Sequence, residues 1–337
     1  MAKKVKRKFF IVKQGLVLGK FMPLHTGHLA LINFAAKHCD ELFILLCHTK
    51  KEPVKGAVRE GWLTAAVAKF PNCRVVSLLY NEDDLPNTSV SSKEVSLQWS
   101  KAIKHILPGI DAVFSSEIYG DYLASFLNIK HIVFDMERKA IPISASAILS
   151  NPLLHWNFIA ETAKPYFVKK IILLGTESTG KSTMAKKLAE YFAADFVPEM
   201  AREILEKTED CQPEHLVQIA ELHALTILAK IKETKRLLFV DTDVNITKSY
   251  SRYLFNKILD VPEWIEEVNE GHLYIFLEPD CEFIQDGTRL SIEERNKLSL
   301  FHKEQLKQKG IAYFSIYGNW DERFEKAVEL IKEYFKI

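Results

Sequence analysis

The chain has 337 residues, of which 47% are hydrophobic and 26% charged, and its 45 Lys and Arg nearly balance its 44 Asp and Glu. This length predicts two domains, each large enough to close its own core. The net charge of +1 provides no overall positive field that would gather nucleic acid. No apolar run approaches the roughly 20 residues that a membrane span requires.

The cysteines and the N-terminus favour a cytoplasmic protein. The five cysteines form no C-x-x-C pair and are odd in number, which argues against a disulfide framework and a zinc site. The N-terminus lacks the long apolar region and cleavage site of a secretory signal. Its basic cluster, Lys3–Lys8, is interpreted as a solvated tail rather than a nucleic-acid-binding arm.

Apolar runs alternate with amphipathic stretches along the whole chain, a pattern typical of βαβ units and parallel sheets. The first half predicts strands near Leu16–Leu18, Leu42–Cys47, Val75–Leu79, Ala112–Ser115 and Ile132–Phe134, with helices at His25–Lys37, Arg59–Ala68, Leu97–Ile106 and Asp121–Leu127. The second half predicts strands at Lys170–Leu174, Phe196–Val197, Leu237–Asp241, Leu273–Leu277 and Ala312–Ile316, with helices at Lys181–Phe192, Pro213–Lys232, Ile292–Gln308 and Asp321–Lys336.

Two prolines and several aromatic residues interrupt this alternation between Ser144 and Lys169. We therefore predict an α/β protein with two doubly wound parallel-sheet domains, residues 1–166 and 167–337. In each half the first strand runs into a glycine-containing loop and then a helix.

Two histidines, His25 and His28, open the first predicted helix. Their i, i+3 spacing would suit a metal ion, but no third ligand is identifiable nearby in the sequence. In the first turn of a helix, backbone N–H groups, the helix dipole and both imidazoles converge where an anion would lie. Pro23 stiffens the preceding loop and Gly27 permits close backbone approach, so the pattern favours a phosphate site.

The segment GTESTGKS, Gly175–Ser182, satisfies the G-x-x-x-x-G-K-[ST] pattern between a buried strand and a helix. In such loops the backbone surrounds phosphate oxygens, the lysine reaches the β- and γ-phosphates, and the serine ligates Mg²⁺. We predict that ATP is bound by Gly175, Ser178, Gly180, Lys181, Ser182 and Thr183. A P-loop alone does not separate a kinase from an ATPase or a switch.

Acidic side chains follow two of the later strands. In LLFVDTD, Asp241 is the first choice and Asp243 the second for holding Mg²⁺. In VPEMARE, Glu199 is predicted to accept a substrate hydroxyl proton, in preference to Asp243, and Arg202 to hold the substrate. A surface ion pair is the alternative for Glu199 and Arg202.

The segment DGTRLSIEERNKL places Arg289 and Arg295 around a glycine. It resembles the lid of small-molecule kinases, in which arginine neutralises charge that develops on the transferred phosphoryl group. A solvated helix start is the alternative.

The segment GKFMPLHTGH resembles the G-x-F-x-P-x-H-x-G-H signature of the nucleotidyltransferase superfamily, whose histidines bind ATP phosphates during attack on the α-phosphate. Such a domain followed by a P-loop kinase resembles the NadR family of bifunctional nicotinamide mononucleotide (NMN) adenylyltransferases and ribosylnicotinamide kinases. The resemblance covers nearly all of the chain and includes the segments VREGWL, QWSKAIK, VFSSE, DMERKAIPIS and NPLLHWNFI.

The resemblance implies roles for individual residues of the first domain. Trp99 would stack on the cationic nicotinamide ring, with helix packing as the alternative, and Arg138 would lie near the nucleotide. The ATP contacts would come from Gly19, Lys20, Phe21, His25, His28 and Ser144.

Two departures from the resemblance stand out. The superfamily's later motif, I-S-x-[ST]-x-x-R, begins here at Ile143 but carries Leu149 in place of the arginine. Loss of such a charged contact typically costs about 2–4 kcal/mol of transition-state stabilisation, unless Arg138 or Lys139 compensates. Few residues precede the first strand, so we expect no helix-turn-helix domain and no repressor function.

The sequence thus predicts an enzyme of NAD salvage that uses ATP and Mg²⁺. Its second domain would phosphorylate nicotinamide riboside, and its first would join the resulting NMN to AMP, giving NAD and pyrophosphate. The expected partners are these small molecules, with a possible homo-oligomer. The alternatives are a riboside kinase with a slow or inactive adenylyltransferase domain, and a non-catalytic nucleotide sensor.

Overall fold

The computed structural model describes residues 12–88, 90–204, 211–280 and 291–337. The chain divides into two compact units, Met1–Lys164 and Pro165–Ile337. Within the described ranges, no helix has both the length and the apolar character needed to cross a membrane.

The first unit is built on one parallel sheet flanked by helices. Its strands are Val12–Gly19 (β1), Cys39–His48 (β2), Cys73–Leu79 (β3), Ala112–Ser115 (β4) and Lys130–Val133 (β5). Its helices are Thr26–Ala36 (α1), Gly56–Val67 (α2), Lys93–Ile106 (α3), Tyr119–Leu127 (α4) and Ala145–Ser150 (α5), followed by the short 3-10 helix Trp156–Phe158. A further short helix, Lys164–Phe167 (α6), spans the division between the units.

The strand order of this sheet, β3-β2-β1-β4-β5, creates a switch point beside β1. The chain builds outward on one side of β1 through β2 and β3, then returns to the other side through β4 and β5. Leu42 and the run Ile44–Leu46 in β2 have no exposed surface, as expected for a strand covered on both faces. Ligands of such sheets bind beyond the carboxyl ends of the strands at the switch point, where the His25 loop lies.

The second unit contains another five-stranded parallel sheet. Its strands are Lys169–Leu174 (β6), Asp195–Val197 (β7), Leu237–Asp241 (β8), Leu273–Leu277 (β9) and Phe314–Ile316 (β10). Its helices are Lys181–Tyr191 (α7), Ala201–Ile204 (α8), Pro213–Glu233 (α9), Val244–Phe255 (α10), Glu263–Asn269 (α11), Ile292–Gln308 (α12) and Trp320–Phe335 (α13).

The order of this sheet, β10-β9-β6-β8-β7, puts β6 at the centre between β8 and β9. Ile171–Leu174 of β6 are fully buried, which explains their continuous apolar sequence. Leu173 pairs with Asp241 in the register of β6 and β8. The glycine loop after β6 therefore lies beside the carboxylate that ends β8.

These two parallel sheets confirm the predicted fold class, and each predicted strand is present, with shifted ends at some. The predicted helix pattern is incomplete, because α5, α6, α8, α10 and α11 were not anticipated. Helix α10, VNITKSYSRYLF, is rich in β-branched residues and serine, which have low helix propensity. Its start is fixed instead by Asp243, whose carboxylate accepts hydrogen bonds from the backbone of Asn245 and Ile246.

Candidate functional site

The two histidines of the first unit lie at the beginning of α1. His25 is the N-cap, and its Nδ1 accepts a hydrogen bond from the Gly27 backbone N–H at 3.0 Å. A Cβ at Gly27 would approach the His25 ring to 2.8 Å, so this contact requires glycine. The ring centroids of His25 and His28 are 3.8 Å apart, and Phe21 contacts His28 edge-on at 5.0 Å. Both imidazoles thus flank the N-terminal end of α1, as their spacing predicts.

Burial keeps both imidazoles neutral at pH 7. It lowers the pKa of His25 to about 4, with the charge of Arg138 as a second cause. Burial, the neighbouring His25 and Arg138 also hold the pKa of His28 well below its ordinary value. Because Nδ1 of His25 accepts a hydrogen bond, its neutral ring carries the proton on Nε2. His25 can therefore offer one N–H donor to an anionic ligand.

Buried histidines predict a loss of stability in mild acid. In the second unit burial lowers the pKa of His223 to about 4 and that of His302 to about 3. In the unfolded chain histidine has a pKa near 6.5. Between pH 6.5 and 4 the unfolded state therefore binds more protons than the folded state. Because of this difference, the free energy of unfolding falls as the pH falls. For His25 the lowering of the pKa from 6.5 to about 4 corresponds to a loss of about 3 kcal/mol in the free energy of unfolding once the pH is below both values. Urea titrations of the whole chain from pH 7 to 5 should show this fall, and a flat profile would contradict it.

A buried ion pair holds the residue after β1. Lys20 lies next to Glu52, with 2.9 Å between its Nζ and Oε1, and Glu52 also pairs with the fully buried Arg59. Arg59 donates from Nη1 to the Lys20 carbonyl at 2.7 Å. Sequence reasoning assigned no role to Glu52 or Arg59, although VREGWL was among the segments of the resemblance. Together they fix both the backbone and the side chain of Lys20.

The loop that carries Arg138 is organised by Asp135. The Asp135 carboxylate accepts hydrogen bonds from the backbone N–H groups of Lys139, Ala140 and Ile141 at 2.8–3.3 Å. Arg138 has a left-handed backbone, with φ of 50°, and Nη2 lies 3.5 Å from Glu117 Oε1. This turn brings the positive charge of Arg138 near the histidines, where it lowers their pKa. Asp135 was missed because a capping carboxylate has no distinctive spacing.

The segment after α5 closes over the histidine loop. His25 and Ile159 form an antiparallel bridge, and the Ala160 N–H donates to the Leu24 carbonyl at 3.1 Å. The NPLLHWNFI segment is thus part of the first site rather than a linker. Upstream of it, Ser144 caps α5 by accepting from Ala147 N at 3.2 Å, and Leu149 follows within the same helix.

Trp99 is half-buried on α3. Its indole N–H donates to the Pro86 carbonyl at 3.0 Å, and Tyr80 contacts its ring at a centroid distance of 5.0 Å. These contacts fix the plane of the indole, and its packing against a buried apolar cluster that includes Tyr80 and Ile103 gives it a structural role as well. Stacking on a nicotinamide ring stays a prediction.

The P-loop of the second unit leaves β6 through a backbone that only glycine adopts easily. Gly175 has φ of 140°, and a Cβ there would lie 2.7 Å from the Leu277 carbonyl oxygen. Gly180, with φ of 84°, is the N-cap of α7, and Ser178 is also left-handed. The loop therefore curls at the N-terminus of α7, where phosphate is favoured.

Three side chains of the predicted phosphoryl-transfer site meet at this loop. Ser182 Oγ donates to Asp241 Oδ2 at 2.5 Å, so β8 and α7 bring together the two oxygens predicted to hold Mg²⁺. Lys181 is buried and donates from Nζ to the Thr176 carbonyl at 3.0 Å, within its own loop. Thr183 is exposed on the next position of α7.

The remaining predicted residues have different placements. Asp243 is fully buried; its Oδ1 accepts from the backbone N–H groups that begin α10, and its Oδ2 accepts from the Asn245 side-chain amide. Arg295 is buried at the start of α12 and donates to the Pro279 carbonyl at 3.0 Å. Glu199 lies between β7 and α8. Arg202 has a described backbone in α8, whereas its side chain, like Arg289, lies outside the described residues.

Two further side chains near the P-loop were not predicted. Tyr250 lies on α10, and its pKa is raised well above the ordinary value by burial and by the charges of Glu177 and Glu199. His302 on α12 contacts this ring at 5.0 Å and Ser249 Oγ at 2.7 Å. The charge of Lys181 adds to burial in lowering the pKa of His302. These residues belong to α10 and α12, and no motif identifies them.

The fold and the loops after β1 and β6 define a protein with two α/β domains of nucleotide-binding type. The first domain has an HxGH loop and the second has a P-loop. A family model described as an AAA domain matches residues 170–323. The chain is 28% identical to the trifunctional NAD biosynthesis/regulator protein NadR of Salmonella typhimurium strain LT2, over 95% of this chain and 82% of that protein. These matches, with those that follow, confirm the resemblance to the NadR family.

Other known proteins match the chain in part or in fold. A nicotinamide-nucleotide adenylyltransferase of Thermococcus kodakarensis is 27% identical over 41% of this chain and 71% of its own. The crystal structure of a NadR protein in complex with NR covers 97% of this chain and 98% of its own, with a TM-score of 0.76 at 21% identity. A NadR structure with NAD and AMP-PNP has a TM-score of 0.75, also at 21% identity, with 97% of each chain covered.

Proposed function

We propose that this chain is a bifunctional enzyme of NAD biosynthesis, with an NMN adenylyltransferase in residues 1–166 and a ribosylnicotinamide kinase in residues 167–337. The observation that carries the proposal is the presence of two distinct phosphate-type loops, each at the carboxyl end of the central strand of its own parallel sheet. The similarity to NadR over 95% of the chain supports the choice of substrates.

In the kinase, ATP would lie along the P-loop, with its phosphates on the backbone N–H groups from Gly175 to Thr183. Lys181, whose Nζ donates to the Thr176 carbonyl, would neutralise charge on the β- and γ-phosphates with its other N–H donors. Glu199 would accept the proton of the riboside 5′-hydroxyl, and Arg202 would hold the riboside. Arg289 would face the transferred phosphoryl group, whereas buried Arg295 donates to the Pro279 carbonyl. Positioning and charge neutralisation supply most of the catalysis in such reactions.

Mg²⁺ fits the residues at the end of β8. Ser182 Oγ and Asp241 Oδ2 are hard oxygen donors that already lie within 2.5 Å of one another. When bound there, Mg²⁺ would supply positive charge to the phosphates. Asp243 is the weaker candidate, because one of its oxygens caps α10 and the other accepts from the Asn245 side chain.

In the adenylyltransferase, the phosphate of NMN would attack the α-phosphorus of ATP in line, releasing pyrophosphate. His25 would donate from Nε2 to the phosphate oxygens, and His28, Lys20 and the N-terminus of α1 would stabilise the same charge. The main chain at Gly19 and Phe21 would border the nucleotide, with Ser144 on the opposite loop. Binding of a polyanion raises the pKa of a neighbouring imidazole, so each histidine gains positive character as ATP enters.

The decisive experiment supplies the purified chain with each pair of substrates separately. Nicotinamide riboside with Mg·ATP should give NMN and ADP, and NMN with Mg·ATP should give NAD and pyrophosphate. Lack of ADP, and of both NMN and NAD, in the first assay would contradict the kinase. If NAD and pyrophosphate are missing from the second while NMN forms in the first, the chain is a riboside kinase only, an alternative that Leu149 favours.

Leu149→Arg is expected to raise the rate of adenylyl transfer. The half-buried Leu149 lies in α5, whose N-cap is the predicted nucleotide contact Ser144. A guanidinium at this position would supply the charge-assisted contact that the superfamily motif provides, which is worth about 2–4 kcal/mol or roughly 30-fold upward in rate. Leu149→Met serves as the uncharged control. An unchanged rate of NAD formation in Leu149→Arg would show that Arg138 or Lys139 already compensates.

A further inference from the structure

Arg323 on α13 is a buried arginine that binds three separate loops of the second unit. Only 2% of it is exposed. Its Nη1 donates to the Thr179 carbonyl of the P-loop at 3.2 Å. Its Nη2 donates to the Glu278 carbonyl at 2.9 Å and pairs with the Asp280 carboxylate, both beyond the end of β9. Its Nε donates to the Gly318 carbonyl at 2.8 Å.

The Asp280 carboxylate closes this network from the other side. Its second oxygen accepts a hydrogen bond from the Gly318 backbone N–H at 2.8 Å. The loop between β10 and α13 is therefore held by both partners of the ion pair. All three backbone carbonyls that Arg323 contacts lie at the edge of the sheet where the P-loop begins.

We propose that Arg323 is a positioning residue of the kinase site, which holds the P-loop in the conformation that accepts the ATP phosphates. Thr179 immediately precedes Gly180, whose N–H group belongs to the curl around the phosphates. The bond from Arg323 fixes the carbonyl of the Thr179–Gly180 peptide and so the direction of that N–H group. A rigid guanidinium fork can satisfy three carbonyls and a carboxylate at once, whereas a lysine ammonium offers three donors from a single point.

Trp320, one turn before Arg323 on α13, reinforces this arrangement. A Cβ at Gly180 would meet the Trp320 ring at 2.7 Å, so the indole lies against the P-loop backbone. The same helix thus contacts both residues of the Thr179–Gly180 peptide. This contact indicates that α13 supports the loop rather than merely covering the sheet.

The test measures the KM for ATP in the phosphorylation of nicotinamide riboside, so the inference rests on the proposed kinase function. Arg323→Met should raise this KM about tenfold or more, since a loop that samples other peptide orientations binds phosphate less tightly. The KM for the riboside should not change. Arg323→Lys should fall between Arg323→Met and the wild type. The unchanged KM for the riboside reports that the second unit, which carries Arg323, is folded.

Lys303→Met is the matched control. It removes a cation that pairs with the Glu278 side chain at 2.6 and 2.8 Å, but it leaves the Glu278 carbonyl and the P-loop untouched. We expect its KM for ATP to equal that of the wild type. A rise of less than threefold in Arg323→Met would overturn the inference, and so would an equal rise in Lys303→Met. If Arg323→Met does not fold, the same threefold limit applies to Arg323→Lys.

A binding measurement separates this inference from the proposed function. Titration with a fluorescent ATP analogue measures nucleotide binding by the whole chain, and the part of this binding that Lys181→Met abolishes is assigned to the P-loop. The chain could fail to phosphorylate the riboside while Arg323→Met still weakens binding at the P-loop. That result would support the positioning role and refute only the kinase assignment. If Arg323→Met leaves binding at the P-loop unchanged, the positioning role itself is overturned.

Discussion

Lys181→Met should reduce phosphorylation of nicotinamide riboside by about 100- to 1,000-fold, the effect expected when one preorganised donor to the transferred phosphoryl group is lost. Methionine has a similar length, so it fills the buried position of the lysine stem without its charge. The variant also loses the hydrogen bond to the Thr176 carbonyl. Initial rates of ADP formation with saturating riboside provide the measurement.

Adenylyl transfer in the same Lys181→Met preparation should keep the wild-type rate, because the site that we propose for it lies in the first unit. Lys186→Met is the matched control, since Lys186 lies on the same helix with an exposed side chain. Substantial riboside phosphorylation by Lys181→Met would show that the phosphates do not lie on this loop.

His25→Asn should reduce NAD formation from NMN by about 100- to 1,000-fold and leave riboside phosphorylation intact. Asparagine is a good N-cap, so the start of α1 is preserved. It lacks the Nε2–H donor that His25 would direct at the phosphates, and its shorter side chain cannot replace it. His28→Asn should have an effect of the same order, because the centroids of the two rings are 3.8 Å apart and both rings would contact one anion.

His38→Asn controls for the loss of an imidazole from the same region. His38 lies beyond the C-terminal end of α1 and contacts the Phe34 carbonyl at 2.7 Å, far along the helix from His25. NAD formation by His38→Asn should match the wild type. A His25→Asn variant that forms NAD at more than a third of the wild-type rate would refute a catalytic role for this histidine.

The sequence predicts those features of the fold that depend on the periodicity of apolar residues and on the spacing of glycines. Long apolar strands such as β2 and β6 are recognisable because both faces are buried, and the loops after β1 and β6 are recognisable because their glycines occur at fixed spacings. The contact between Ser182 and Asp241 follows from the same logic, since parallel strands that neighbour one another end at the same edge.

The unpredictable part depends on long-range contacts of residues with no local pattern. Arg59 and Arg323 are ordinary helix residues in the sequence, and only the fold shows that each reaches backbone carbonyls far along the chain. Asp243 illustrates the opposite difficulty. As an acidic residue after a strand it suits a metal, but the unanticipated α10 uses its carboxylate as a cap.

The hydrogen bond from Lys181 Nζ to the Thr176 carbonyl places the lysine's charge within its own loop. An ammonium has three N–H donors, so one can stay with this carbonyl while the others reach phosphate oxygens. Because the side chain is also buried, it has already lost most of its rotamer freedom. Contact with the phosphates therefore costs little further conformational entropy.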